Sequence, residues 1–321
     1  MARVTRLGYI ALGVNDLVEA AEFYSRFVRL DLTEQVGDTA FMTGGVEHHW
    51  IRLEEGNGSG VKRIGYEVPD EAALTEICAQ LKERNIDFVE GGDLRKDKVQ
   101  RWVRFVDPGD FTVEVYTGMV ERGVAPINNG VKIEKFLHAA WGVRDWERAT
   151  TFYQDVLGFK ASDWVGNRAG FFRCADRYHH SLVLLRSEAP SFNHFCIQVE
   201  SLDDVMRARN NALRWGVELR DDLLRHAPSG SIGVYLKDRV RGFAVEFCVG
   251  HPQLDDATHH ARILPASPET RDVWLAPLGS PLEPGTVTSG SDRDIADSAG
   301  EWIPGSVVKP IGSGLSKAAS G

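Results

Sequence analysis

The sequence predicts an α+β protein containing two tandem copies of one domain, about residues 3–118 and 133–250. Each copy reads as β-α-β-β-β followed by the same order again. Two observations carry this reading. The first is an internal repeat: Gly13/Gly142, Val14/Val143, Asp16/Asp145 and Phe23-Tyr24/Phe152-Tyr153 match at one offset of 129 positions. Later pairs drift by only two or three positions: His48-His49 with His179-His180, Val68 with Val199, Asp107 with Asp238, and Val113-Glu114-Val115 with Val245-Glu246-Phe247. A collinear series over a whole half marks a duplication. The second observation is that apolar period switches from two to 3.6 at the same places in both copies.

Residues 4–14 alternate as a strand. Asn15 or Asp16 caps a helix over 17–28, whose Leu17, Ala20, Phe23, Tyr24 and Phe27 keep helical spacing. In the second copy Asp145 is the cap, Trp146, Ala149, Phe152, Tyr153, Val156 and Leu157 form the stripe, and Gly158 sits where a helix C-terminal glycine belongs. The aromatic pair in each helix reads as core packing. Residues 70–85 and 202–215 read as the second helix of each copy. Asp107-Pro108-Gly109-Asp110 is a turn feeding a strand over 111–116. Residues 119–132, with Gly123, Pro126, Asn128, Asn129 and Gly130, read as a linker. The tail 251–321 holds eight of the thirteen prolines and is rich in Gly and Ser, which suggests a surface wrap anchored by Trp274, Leu275 or Trp302. His251, His259 and His260 there read as solvated.

Composition bounds the function. The chain has 321 residues, 43% hydrophobic and 26% charged, the balance of an ordinary soluble protein. A net charge of -9 argues against nucleic acid as the main partner, because phosphate recognition needs a basic surface. The four cysteines (Cys78, Cys174, Cys196, Cys248) form neither a CxxC pair nor a disulfide framework, which suits a reducing, cytoplasmic setting. The first fourteen residues read as a strand and not a signal peptide. No apolar run approaches membrane-spanning length, so no membrane partner is expected.

Strand parity brings out the chemistry. Over 136–143, His138 shares a face with Ala140 and Gly142, while Leu137, Ala139, Trp141 and Val143 take the other. Over 243–249, Glu246 lies with Ala244 and Cys248, and Phe243, Val245, Phe247 and Val249 lie opposite. Two histidine-bearing runs flank Ser187-Glu188-Ala189-Pro190-Ser191: His194 shares a face with Cys196 and Gln198, and His180 with Leu182 and Leu184. His179 falls on the opposite face and reads as an ordinary buried histidine. Three strands thus show one ligand-type side chain each among small neighbours. Two imidazoles and a carboxylate with positions left open are the set expected for a non-haem Fe(II) site that activates oxygen; a structural zinc site more often closes with four protein ligands. The first copy has Tyr9, Arg63 and Glu114 at the matching places, a set that would not hold a metal. One working site and one architectural copy follow.

These residues resemble the vicinal-oxygen-chelate fold of the glyoxalase and bleomycin-resistance proteins, and within it the type I extradiol ring-cleaving dioxygenases. The resemblance covers about residues 3–250. It implies tandem domains, each a curved mixed sheet around a cavity, with only the second domain active. It implies metal ligands at His138, His194 and Glu246. It also implies an acid-base histidine at His180, fourteen residues before the second ligand, and a pocket pair at His226 and Tyr235, nine apart. The sequence departs from the family at Tyr235 through Glu246, where a usual proline is missing and the spacing is eleven, one more than the family's. The resemblance further implies Fe(II), with Mn(II) an alternative, O2 as co-substrate, a small aromatic diol as substrate, and a homo-oligomer. Trp164, Phe171, Phe172 and Phe192 are candidates for an apolar wall. Rival readings are a 4-hydroxyphenylpyruvate-type dioxygenase, a glyoxalase-type isomerase, and a non-catalytic binder similar to bleomycin-resistance proteins.

Overall fold

The computed structural model describes residues 2–56, 58–124 and 130–276; the tail beyond, with Trp302, lies outside the described residues. The first half runs β1 (Arg6–Val14), α1 (Leu17–Arg26), β2 (Asp31–Val36), β3 (Thr39–Thr43), β4 (Ile51–Glu55), β5 (Gly60–Glu67), α2 (Glu71–Glu83), β6 (Phe88–Gly91), β7 (Val99–Val106) and β8 (Thr112–Met119). The second runs β9 (Ile133–Val143), α3 (Trp146–Asp155), β10 (Lys160–Val165), β11 (Ala169–Arg173), β12 (Leu182–Arg186), β13 (Ser191–Val199), α4 (Leu202–Arg214), β14 (Leu219–Arg225), β15 (Ile232–Asp238) and β16 (Phe243–Val249). β17 (Arg262–Leu264), α5 (Pro268–Arg271) and a 3-10 turn at Val273–Leu275 follow.

The two halves are copies of one α+β architecture. The first sheet has order β2-β3-β4-β1-β5-β8-β7-β6, the second β14-β15-β16-β13-β9-β12-β11-β10 with β17 added at the β10 edge. In each, two βαβββ units meet along one antiparallel seam, β1 against β5 and β9 against β13. α1 and α3 start at their expected caps, and Asp70, read as the first residue of α2, is its cap: Asp16, Asp145 and Asp70 each accept from the backbone N–H three residues on. They stop one or two residues earlier than their periodicity suggests, and in α1 and α3 the last apolar residues, Val28, Val156 and Leu157, pack from non-helical backbone.

One apolar core runs through both halves, with Trp50 stacked on Phe136, Tyr24 on Phe195, and Phe105 edge-on to Phe152. The repeated aromatic pair does more than fill this core. Tyr24 of α1 donates to Asp238 Oδ2 of the second half at 3.0 Å, and Tyr153 of α3 donates to Asp107 Oδ2 of the first at 2.6 Å. Both tyrosines and both aspartates are repeat-matched residues, so the duplication produces a reciprocal pair of buried hydrogen bonds between the halves. The tail is held by buried Leu264, Thr270 and Val273. Trp274 and Leu275 are exposed and do not anchor it, because the 3-10 turn presents Val273 inward.

Burial lifts the Asp107 carboxyl to about 6, against hydrogen bonds from the Tyr153 hydroxyl and the Phe111 and Gly109 N–H groups that pull it down. The unfolded chain releases that proton near about 3.9. Stability from this group is therefore full below about 4 and is lost as pH rises through about 6. Tyr153→Phe removes the donor to Oδ2. It should cost about 1–3 kcal/mol, and more at pH 8, where the carboxylate is charged, than at pH 5; denaturant titration at both pH values measures the difference.

Candidate metal centre

The centre forms on the face of the second sheet turned away from the core. Irregularities in the strands set it up. β9 pairs Cys196 with His138 and Ile197 with Phe136, leaving Leu137 as an extra residue. This bulge moves Leu137 out of the core to pack with Cys196 and Cys248, so simple alternation misplaces it. A second bulge leaves Asn193 extra between Phe192 and His194. His194 then stands opposite Ala140 and beside Ala244, and Glu246 beside Cys196. Space is tight: a Cβ on Gly233 would lie 2.7 Å from Glu246 Oε1. The β15–β16 ladder is regular from Ile232↔Val249 to Asp238↔Phe243, with Tyr235 directly opposite Glu246. The extra residue between them is absorbed at the hairpin tip, where Gly242 takes φ +81.

Three donor atoms converge. His138 Nε2 and His194 Nε2 are 3.1 Å apart, and Glu246 Oε2 is 3.1 Å from the first and 3.2 Å from the second. All three residues are buried, Glu246 at 1% exposure. Despite these distances Glu246 Oε2 has no hydrogen bond of acceptable geometry among the described residues. The near-equilateral triangle matches one face of an octahedron: donors about 2.0–2.2 Å from an ion stand about 2.8–3.1 Å apart. Asn193 Oδ1 lies 2.7 Å from His194 Nδ1 and accepts its proton, which leaves the Nε2 lone pair directed at the triangle. Burial holds His194 near about 4, with Glu246 opposing. The residues fit a divalent cation held by two neutral imidazoles and one carboxylate.

Two further groups have metal-ligand spacing, His138–Cys196–Glu246 and His138–His180–His251. Cys196 is a poor ligand, because burial first, then Cys248 with its Sγ at 3.2 Å, push the thiol well above its usual range. The histidine group corrects the sequence reading in three ways. His180 precedes β12, so it does not share a face with Leu182 and Leu184, which are in the core. His179 touches it, with the two Nδ1 atoms 3.0 Å apart, and is tied to Asp163. His251 is not solvated: it is 5% exposed, with Nε2 3.1 Å from His180 Nδ1. Gly250 at φ +80 turns the chain inward there, as Gly118 at φ +68 does before Met119 in the first half. That repeat-matched glycine, followed by a buried apolar residue, was the signal for a buried His251. His259 bonds Ser162 O, and His260 is exposed.

His226 and Tyr235 stand on the other flank. Arg271 O lies 2.9 Å from His226 Nδ1 and takes its proton, so Nε2 accepts from the Tyr235 hydroxyl at 2.8 Å. Burial, then Glu246, keep the Tyr235 hydroxyl well above its ordinary range and so protonated. His226 Nε2 is 3.8 Å from Glu246 Oε1. Of the proposed apolar wall, Phe171 faces the site, its ring 5.0 Å from His180. Phe172 belongs to the core, and Trp164 and Phe192 pack against it. In the first half the equivalent space is filled: Tyr9 donates to Glu114 Oε1 at 2.6 Å, Arg104 pairs with Glu114, and Arg63 with Glu54.

A profile of the glyoxalase/bleomycin resistance protein/dioxygenase superfamily matches residues 6–115 and 135–247. The biphenyl-2,3-diol 1,2-dioxygenase of Paraburkholderia xenovorans (strain LB400) is 30% identical over 222 residues, covering 63% of this chain and 74% of the relative. An iron-dependent extradiol dioxygenase of Rhodococcus jostii (strain RHA1) is 33% identical over 220 residues, covering 62% and 73%. The crystal structure of the Mn(II)-bound glyoxalase from Novosphingobium aromaticivorans superposes with a TM-score of 0.80 at 22% identity, over 86% of this chain and 92% of that one.

The triangle has a consequence for stability. A divalent transition metal in free excess should raise the thermal midpoint, since a ligand at a free concentration of 1,000 times its Kd adds about 4 kcal/mol to the folded state. Glu246→Ala should abolish that rise, whereas His226→Ala should retain it. Calorimetry with bound-metal analysis under anaerobic conditions reads both.

Proposed function

The chain belongs to the glyoxalase/bleomycin resistance protein/dioxygenase superfamily and is one of its extradiol ring-cleaving dioxygenases; from that premise we propose that it opens a catechol-type ring beside its two hydroxyls, using O2 and a divalent ion held by His138, His194 and Glu246. The observation that carries the ligand assignment is the triangle of two imidazole nitrogens and one carboxylate oxygen with edges of 3.1, 3.1 and 3.2 Å. When bound there, Fe(II) or Mn(II) supplies the Lewis acidity that lowers a diol hydroxyl pKa and a template for diol and O2. Iron is named for one relative and Mn(II) for one structure of the same fold, and the donor set suits both.

The chain's own residues supply the rest. His180 lies against His138, ring centroids 4.2 Å apart, and is a neutral base: burial, then the neighbouring histidines, hold it well below the ordinary histidine range. It is placed to take a proton from the diol and return it as the ring rearranges. On the opposite flank the Tyr235 hydroxyl, resting on His226 Nε2, turns its proton to a substrate oxygen and frees that nitrogen to accept from a diol hydroxyl. Phe171 gives the aromatic ring an apolar face. The substrate is a small aromatic diol, for which catechol and biphenyl-2,3-diol are the first probes. An isomerase site built across paired halves finds no partner here, because Tyr9, Glu114 and Arg104 occupy that space in the first half.

Fe(II)-loaded protein given catechol or biphenyl-2,3-diol should form a yellow ring-opened product and consume one O2 per diol. His180→Ala should keep its metal and lose turnover by about 10²–10⁴-fold. Turnover in the absence of any divalent metal, or full activity in His180→Ala, would refute the respective assignment.

A further inference from the structure

The buried group left without a task is Asp163, whose side chain is fully buried beneath His179. We propose that Asp163 and His179 form a positioning dyad that fixes the His180 imidazole as its Nδ1–H tautomer, leaving Nε2 as the bare lone pair that accepts the substrate proton. The inference rests on the reading of His180 as the acid-base group.

The direction of each hydrogen bond follows from the carboxylate. Asp163 accepts only: Arg262 donates to its Oδ1 through Nε at 2.8 Å and through its backbone N–H at 3.1 Å, and reaches Oδ2 with Nη2. His179 Nε2, 2.8 Å from Asp163 Oδ2, therefore carries the His179 proton. A neutral imidazole has one proton, so His179 Nδ1 is an acceptor. His180 Nδ1, at 3.0 Å, must supply the hydrogen between the two rings, since the other tautomer would set two lone pairs against each other. His251 Nε2 borders both nitrogens of His180, 3.1 Å from Nδ1 and 3.5 Å from Nε2, and can share the Nδ1 proton as a second acceptor. Only Nε2 of His180 is then free of hydrogen. The logic is that of a carboxylate holding a histidine in the right tautomer for proton transfer, carried one imidazole further.

The duplication supplies a control. In the first half Glu34 lies 3.0 Å from His48 Nε2, and His48 Nδ1 lies 3.2 Å from His49 Nδ1. The wiring is the same, but His49 packs on Tyr9, 4.8 Å between rings, where the second half has His138. There the arm has no base to orient. A purely architectural role would make the two arms equivalent; a positioning role makes only the second matter for turnover.

The test uses the full chain with four substitutions: Asp163→Asn, His179→Phe, His179→Asn and His48→Phe. In the Fe(II)-loaded enzyme, Asp163→Asn and His179→Phe should lower kcat about 10- to 10³-fold, with KM and bound iron nearly unchanged. The carboxylate-to-amide change in a serine-protease triad costs about 10⁴-fold for the same reason. His179→Asn, whose Oδ1 can accept from His180, should recover most of the loss. His48→Phe should lower the thermal midpoint as much as His179→Phe yet leave kcat intact. Metal-free, 15N-histidine-labelled protein gives an independent readout: long-range 1H–15N correlations should show His180 as Nδ1–H in the wild type and shifted toward Nε2–H in Asp163→Asn. An Nε2–H tautomer in the wild type, or wild-type kcat in His179→Phe, overturns the dyad. Wild-type protein that opens no diol would overturn the proposed activity instead, with the tautomer measurement still deciding the dyad.

Discussion

A carboxylate removed from water has to be met by donors or by positive charge, and Glu246 is the residue around which the second half is arranged. Its Oε2 faces two imidazole nitrogens at 3.1 and 3.2 Å, and at His194 the proton that could have answered it is committed to Asn193. The metal-free arrangement is therefore electrostatically incomplete, in the way that a divalent ion would complete. The irregularities of the sheet serve that arrangement. The bulge at Leu137 seals the floor with Cys196 and Cys248, the bulge at Asn193 brings an amide to His194, and Gly233 leaves room for the carboxylate. None of these features improves the sheet as a sheet; each disturbs pairing or removes a side chain that would pack.

The first half shows what the same architecture does when it is released from that demand. Tyr9 in the place of His138 satisfies Glu114 directly, Arg104 neutralises it, and Arg63 in the place of His194 is neutralised by Glu54. Glu114 and Arg63 each have a protein partner there, so neither is left to an ion. The two halves still depend on each other. Tyr24 reaches Asp238 and Tyr153 reaches Asp107, so each half completes a buried polar group of its twin within a shared core. Asp238 closes the β15–β16 hairpin that carries Tyr235 and Glu246, and through it α1 of the first half steadies the second.

How much of this was legible in the sequence follows from which residues obey period two. His194, Cys196 and Glu246 sit in strands regular enough for alternation to assign their faces, and the repeat placed α1, α3 and their caps. Alternation failed where a bulge inserts a residue, at Leu137, because a bulge is a relation between two strands and leaves no mark in either alone. It failed again at His179 and His180, which precede β12 and follow no strand parity. His251 was missed for another reason: it opens a polar, proline-rich tail, and local composition outweighed the match of Gly250 with Gly118. The reciprocal tyrosine bonds were hidden in plain view. Both partners of each pair recur in the repeat, but a repeat pairs each residue with its copy and says nothing of contacts that cross from one copy to the other.

Hydrogen-bond direction links these layers. A neutral imidazole can offer one lone pair, and which nitrogen offers it is decided by what the other nitrogen touches. At His194 that decision is made by Asn193, and at His226 by the carbonyl of Arg271 in α5, which then lets Tyr235 donate to Nε2. The deciding groups are a bulge residue and a backbone carbonyl in the tail, so neither would attract notice as a candidate functional residue, and neither touches the triangle. His138 is the exception: its Nδ1 has no partner among the described residues, and its orientation is left to packing against His180 and His194. A ligand set chosen by residue type alone would rank the three histidines as equals. The structure separates them by what stands behind each ring.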